Sequence, residues 1–250
     1  ILRLVLLYVG VHLANAIGAD LSINLYNRTL NQPYISHISR SSSEVISGVT
    51  QKVGAVTSML LAIVTLITST ILFVAIFSTL IFIDPVMSLI AIFSFGIIYT
   101  IIGLKTKKRL LINGGKISER QTQVVKSMQE GLGGIRDVLL DGSQAVYSKI
   151  YASSVRELQK ANSENSFINQ APRFGMESVG IVIISLLAYT MTLTQGGVEV
   201  LPMLGVLALG SQRILPLLQY IYNNWSVFMG NYASIIDVHE LLSQPLNREN

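Results

Sequence analysis

Apolar and polar positions along this chain alternate in long blocks. Leu4 to Ala19 carries no formal charge at neutral pH, Val53 to Ile83 carries none, and after Asp84-Pro85 the stretch Val86 to Leu104 is apolar again. A further pair follows, Ser178 to Val198 and Val200 to Ile236, parted by the turn-forming Gly196-Gly197-Val198-Glu199 and with Pro202 early in the second helix. A bilayer core about 30 Å thick is crossed by about 20 apolar residues in a helix, so these blocks predict five spans. The expected helices are 1–28, 42–83, 86–139, 144–195 and 200–243, which makes the chain an all-α membrane protein. The 53–83 block is longer than one crossing needs and predicts a helix projecting beyond the bilayer.

The polar remainder is expected to be helical too. Between Lys105 and Pro172, the residues Val124, Met128, Leu132, Ile135 and Leu139 recur at helical spacing, with Lys126, Gln129, Glu130, Arg136 and Asp137 on other faces. Asp141-Gly142-Ser143 predicts a break, and a second helical stretch from Gln144 to near Ser166 is expected to be closed by Pro172. The connection from Asn24 to Lys52 is a shorter version, broken at Gln32-Pro33. The plainest reading is two solvated helical hairpins, which leaves unexplained why so much helix is ordered outside a membrane. An attached partner would explain it.

Composition narrows the class. Hydrophobic residues make up 50% of the chain, charged ones 13%, and the mean hydropathy is +0.54; a soluble domain carries about a quarter charged residues. The same values exclude a disordered chain, and the absence of cysteine excludes disulfide stapling, thiol catalysis and thiolate metal sites. The net charge of +4 is not accompanied by the clustered basic and aromatic residues of a nucleic-acid surface. Its placement is informative instead. Arg28, Arg40, Lys52, Lys105, Lys107, Lys108, Arg109 and the bases from Lys116 to Arg173 fall on one side of the predicted spans, whereas the opposite turns hold Asp84 and Glu199. By the positive-inside rule, connections 24–52 and 105–172 are cytoplasmic.

Few residues suggest chemistry. Arg213 stands inside the last block, where an arginine costs at least about 2.5 kcal/mol on insertion scales, so it faces water, a partner helix or a lipid phosphate. Arg173 and Glu177 are four apart, which allows a helical ion pair; a cavity opening there would let Arg173 attract an anion. Asp20 is the one carboxylate well inside an apolar pattern. His12, His37 and His239 lack ligand spacing, so no metal site is expected. Gly114-Gly115-Lys116 is followed by Ile117 and lacks the upstream glycine of a phosphate loop, and Gly131, Gly133 and Gly134 sit in a helical pattern, where they predict close packing or a bend. No paired carboxylates or nucleophile with a base are evident, so no catalytic residue is expected on this chain.

Several strings in order carry a resemblance. These are Ile23-Asn24-Leu25-Tyr26-Asn27-Arg28-Thr29-Leu30 with Pro33-Tyr34; Phe82-Ile83-Asp84-Pro85-Val86; Glu130-Gly131-Leu132-Gly133-Gly134-Ile135-Arg136-Asp137-Val138; and Asp237-Val238-His239-Glu240-Leu241-Leu242 with Gln244-Pro245. Together they resemble the transmembrane domain of ABC exporters of the six-helix, domain-swapped type. The run Gly205-Val206-Leu207-Ala208-Leu209-Gly210-Ser211-Gln212-Arg213-Ile214-Leu215-Pro216 is most similar to the subgroup of lipid-linked oligosaccharide flippases.

The resemblance implies five of six transmembrane helices, with the first helix and the nucleotide-binding domain outside this sequence. ATP and magnesium would be bound by that domain, and this chain would hold no cofactor of its own. It also implies alternating access in a bacterial inner membrane, between two copies or two homologous halves, moving a lipid-linked or amphipathic substrate past Arg213, Gln212 and Arg173. Segments near Gln32 to Arg40 and Asp141 to Tyr147 would couple to the ATPase, with Gln32, Pro33, Tyr34, His37, Asp141, Gly142 and Tyr147 as contacts. Two alternatives stay open: a general drug or lipid exporter of the same family, and a passive channel or secondary transporter whose cytoplasmic helices only mediate oligomerisation.

Overall fold

A computed structural model describes residues 2–83, 85–195 and 197–244, with side chains described throughout except at 2–3 and at some positions within 80–94 and 183–213. Among the described residues there is no strand, and the chain is helical nearly end to end. The elements are α1 (Leu2–Leu30), α2 (Tyr34–Ile38), α3 (Ser42–Ser47), a π-helical turn (Gly48–Lys52), α4 (Val53–Ile83), α5 (Pro85–Gly133), α6 (Ile135–Leu140), α7 (Gln144–Gln195), α8 (Gly197–Gly230) and α9 (Tyr232–Leu242). Leu4–Leu30 and Ser42–Thr79 are long and apolar enough to cross a membrane. The other spans expected from the sequence run along α5, α7 and α8, where many side chains lie outside the described residues.

The breaks have local causes. Pro33 cannot continue α1 and stands before α2 in an extended conformation. Pro85 opens α5 at a position where its missing N–H goes unpaired anyway. Gly134 leaves the helical conformation between α5 and α6, and Gly142, at φ 64, lets the Ser143 N–H reach back 3.0 Å to the Val138 carbonyl and close α6. Asp141 to Tyr147 is therefore a turn followed by the first residues of α7, with the break at Asp141-Gly142-Ser143 where the sequence predicts it.

α7 matches the helix expected over 144–195, and the closure expected at Pro172 does not occur, because the helix runs through it to Gln195. A proline inside a helix deprives the carbonyl four residues back of its donor. Here that carbonyl belongs to Ile168, and the Tyr222 hydroxyl of α8 donates to it at 3.2 Å. A neighbouring helix thus re-satisfies the freed group, which makes an interior proline tolerable.

The chain divides into two compact units, one of Ile1–Ala62, Arg109–Ser166 and Val227–Asn250, the other of Ile63–Lys108 and Phe167–Ser226. In the first, Leu25, Val53, Val238 and Leu241 form a small core at the π-helical turn, where α1, α3 and α9 meet. The Val53 N–H bonds to the Gly48 carbonyl five residues back, and the Ser22 hydroxyl donates to the Val49 carbonyl at 3.1 Å. Farther along the same unit α5 and the end of α8 touch backbone to backbone: a Cβ on Gly114 would stand 2.4 Å from the Gly230 carbonyl oxygen. Gly114 thus has a packing reason, independent of any phosphate.

In the second unit the buried residues are aromatic and large: Phe95, Tyr99, Met176 and Tyr222, with Leu215, Leu218 and Trp225 packed against them. Its exposed side chains are apolar as well, among them Ile67, Ile71, Phe93, Ile97, Ile181, Val182 and Leu186. A soluble monomer rarely exposes apolar side chains this densely.

Candidate functional site

The second unit encloses an open cavity of about 780 Å³, a volume suited to a small amphiphile or to part of a larger one. α5 supplies Phe95 and Tyr99, one helical turn apart on one face; α7 supplies Asn169, Gln170, Arg173, Phe174, Glu177, Gly180 and Ile181; α8 supplies Gln212, Leu215, Pro216, Gln219, Tyr220, Tyr222 and Asn223. Aromatic rings and side-chain amides dominate the lining.

Several of its polar groups are already paired. The Arg173 Nε donates to Glu177 Oε1 at 2.9 Å, the ion pair expected from their spacing, with Arg173 exposed. That hydrogen bond and the carboxylate's charge raise the guanidinium's pKa above its ordinary value, so Arg173 stays protonated. Tyr222 is anchored by Ile168 and lies 3.3 Å from the Thr106 hydroxyl, with its ring 5.7 Å from that of Tyr99 and 6.0 Å from Trp225. The Ser226 hydroxyl, fully buried, donates to Asn169.

Two polar groups are not paired. The Tyr99 hydroxyl and the Gln219 amide nitrogen are buried without a hydrogen-bond partner among the described residues, and both residues line the cavity. Such groups cost free energy when left dry and usually mark a water or ligand position. Sequence reasoning missed both, because each sits in an apolar block without a motif around it. Of the expected substrate residues, Arg173 and Gln212 do line the cavity. Arg213 falls within α8, but its side chain lies outside the described residues.

The expected coupling residues lie in the first unit and are not alike. Tyr34 and Ile35 of α2 are 78% and 73% exposed, His37 is exposed, and no residue of α2 is buried among the described residues. Pro33 is half-buried at its start. Gln32 is buried instead, and its amide donates to Gln244 at 2.8 Å, where Arg40 also donates. Asp141 and Gly142 are exposed at the α6–α7 turn, but Tyr147 is half-buried against Gly131, whose Cβ position is 3.7 Å from it. Beside them, Met128, Leu132, Ile135 and Leu139, four of the five residues in the predicted amphipathic stripe, stand exposed.

A buried ion pair completes the first unit. Lys52, expected as a solvent-facing base, is 5% exposed, and its Nζ lies 2.7 Å from Asp237 Oδ2, to which the Ser118 hydroxyl also donates. The π-helical turn, α5 and α9 are thereby tied at one carboxylate. Arg120 to Glu157 at 2.9 Å and Asn113 to Glu164 at 3.1 Å join α5 to α7 in the same unit. The sequence matches no protein-family model and no curated protein.

Proposed function

We propose that this chain is the membrane-spanning half of an ATP-driven exporter or flippase, which moves a lipid-linked or amphipathic substrate through the cavity of its second unit. The observation that carries the reading is the length of α5 and α7, 49 and 52 residues, each with an apolar stretch in the second unit and a polar one in the first. Each is more than twice the roughly 20 residues that cross a bilayer, so each can carry movement at a polar end into the membrane. A channel needs no such helices. The exposed α2 and the exposed stripe of Met128, Leu132, Ile135 and Leu139 suit contact with an ATPase domain, which would hold ATP and magnesium. The basic side of the spans then faces the cytoplasm of a bacterial inner membrane.

The test is ATP-dependent translocation of a fluorescent short-chain lipid by the complete protein, this chain with its ATPase domain, in sealed liposomes. The reading predicts movement with ATP and none without it. Flux through this chain alone without nucleotide would favour a passive channel. Arg213→Ala is expected to lower translocation with ATP hydrolysis retained if the guanidinium holds a headgroup phosphate.

A further inference from the structure

The cavity's polar groups divide into spent and unspent ones, and the division bears on what it binds. Among the described lining residues the ionised ones are Arg173 and Glu177, which pair through the Arg173 Nε at 2.9 Å. The Tyr222 hydroxyl is spent on Ile168, and the Asn169 side-chain oxygen accepts from Ser226. What is left buried and unpaired is neutral: the hydroxyl of Tyr99, a residue 8% exposed, and the amide nitrogen of Gln219. One can donate and accept, the other donates, and both lie among aromatic rings whose faces accept C–H groups and apolar rings.

Resting on the reading of this cavity as a substrate site, we infer that it takes the uncharged, hydrogen-bonding part of an amphiphile, such as a polyol or amide head, and that Tyr99 and Gln219 are the residues that read it. An acceptor on the ligand pairs these groups, which discriminates in favour of a neutral polar head. Removing the Tyr99 hydroxyl is expected to weaken binding of such a head.

The chain supplies its own reporter, because its single tryptophan, Trp225, packs against Tyr222. In nanodiscs of phosphatidylcholine, this chain is titrated with octyl glucoside, octyl phosphate and octyltrimethylammonium below their micelle concentrations, and Trp225 emission is followed. The glucoside is expected to bind most tightly, and Tyr99→Phe and Gln219→Met to weaken it roughly five-fold each, the worth of one neutral hydrogen bond. Equal or tighter binding of either charged probe, unchanged glucoside affinity in both variants, or no response to any probe overturns the inference. ATP-driven translocation by the complete protein is scored separately. Translocation with the wrong probe order sinks the inference and leaves the transporter reading standing, whereas the predicted order without translocation does the reverse.

Discussion

The two units of this chain are both built from helices, yet they place their ion pairs differently. In the first unit, charges pair between elements, Lys52 of the π-helical turn with Asp237 of α9 and Arg120 of α5 with Glu157 of α7, besides local pairs such as Arg40 with Glu44 and Lys126 with Glu130. In the second, among the described residues, the one ion pair, Arg173 with Glu177, lies within a single helix, and Tyr99 and Gln219 are left without partners where a cavity opens. Unpaired atoms occur in the first unit as well, at Gln51 and Asn165 for example, but those residues do not line the cavity. The contrast separates polar chemistry that holds helices together from polar chemistry that waits for a ligand.

The largest effect should come from the Lys52–Asp237 pair, and it should be asymmetric. Asp237→Ala strands an ammonium whose side chain is 6% exposed, so a loss of about 3–5 kcal/mol is expected. Lys52→Met leaves a carboxylate that is 32% exposed and can still reach water, and should cost distinctly less. Denaturant titration followed by circular dichroism measures both, and equal costs would mean that the pair is not buried as described. Next in size is Gly114→Ala, whose Cβ would meet the Gly230 carbonyl oxygen at 2.4 Å. Backbone cannot move aside as a side chain can, so about 1–3 kcal/mol should be lost, and a neutral result would break the account of that helix contact.

In the second unit, Tyr222→Phe should cost about 1–2 kcal/mol by leaving the Ile168 carbonyl unpaired. Pro172→Ala returns a backbone donor to that carbonyl, so the tyrosine change should become nearly silent in its background; a double-mutant cycle without coupling would refute the link. The smallest stability effect belongs to Tyr34→Ala. With 78% of the residue exposed, the change should stay within about 0.5 kcal/mol. If α2 meets an ATPase domain, the same change should lower transport per ATP hydrolysed by the complete protein.

These sites also divide by whether a single strand of sequence could reveal them. Pro33, Pro85 and Gly142 act on their own backbone, and the breaks they cause stand where the sequence predicts them, whereas Gly134 interrupts a helix expected to run from 86 to 139. Pro172 misleads because the group that rescues it, the Tyr222 hydroxyl, comes from another helix 54 residues from Ile168. Lys52 reads as one more cytoplasmic base, since its partner lies 185 residues away. The Arg173–Glu177 pair is legible from its spacing, although Arg173 lies inside α7 and not at a helix start. Tyr99 and Gln219 are not, because a cavity is a property of three helices at once, and neither residue stands out from its apolar neighbours.

The central claim, that the apolar helices cross a membrane while the polar hairpins stand in the cytoplasm, can be tested directly because the chain has no cysteine. Single cysteines at Tyr34 and Leu139 and at Ile67, Ile97 and Ile181, all exposed on the chain itself, are offered a membrane-impermeant maleimide from each side of sealed vesicles. The account predicts labelling of Tyr34→Cys and Leu139→Cys from the cytoplasmic side only, with Ile67→Cys, Ile97→Cys and Ile181→Cys protected from both sides. Ready labelling of Ile67→Cys, Ile97→Cys and Ile181→Cys from water would contradict it.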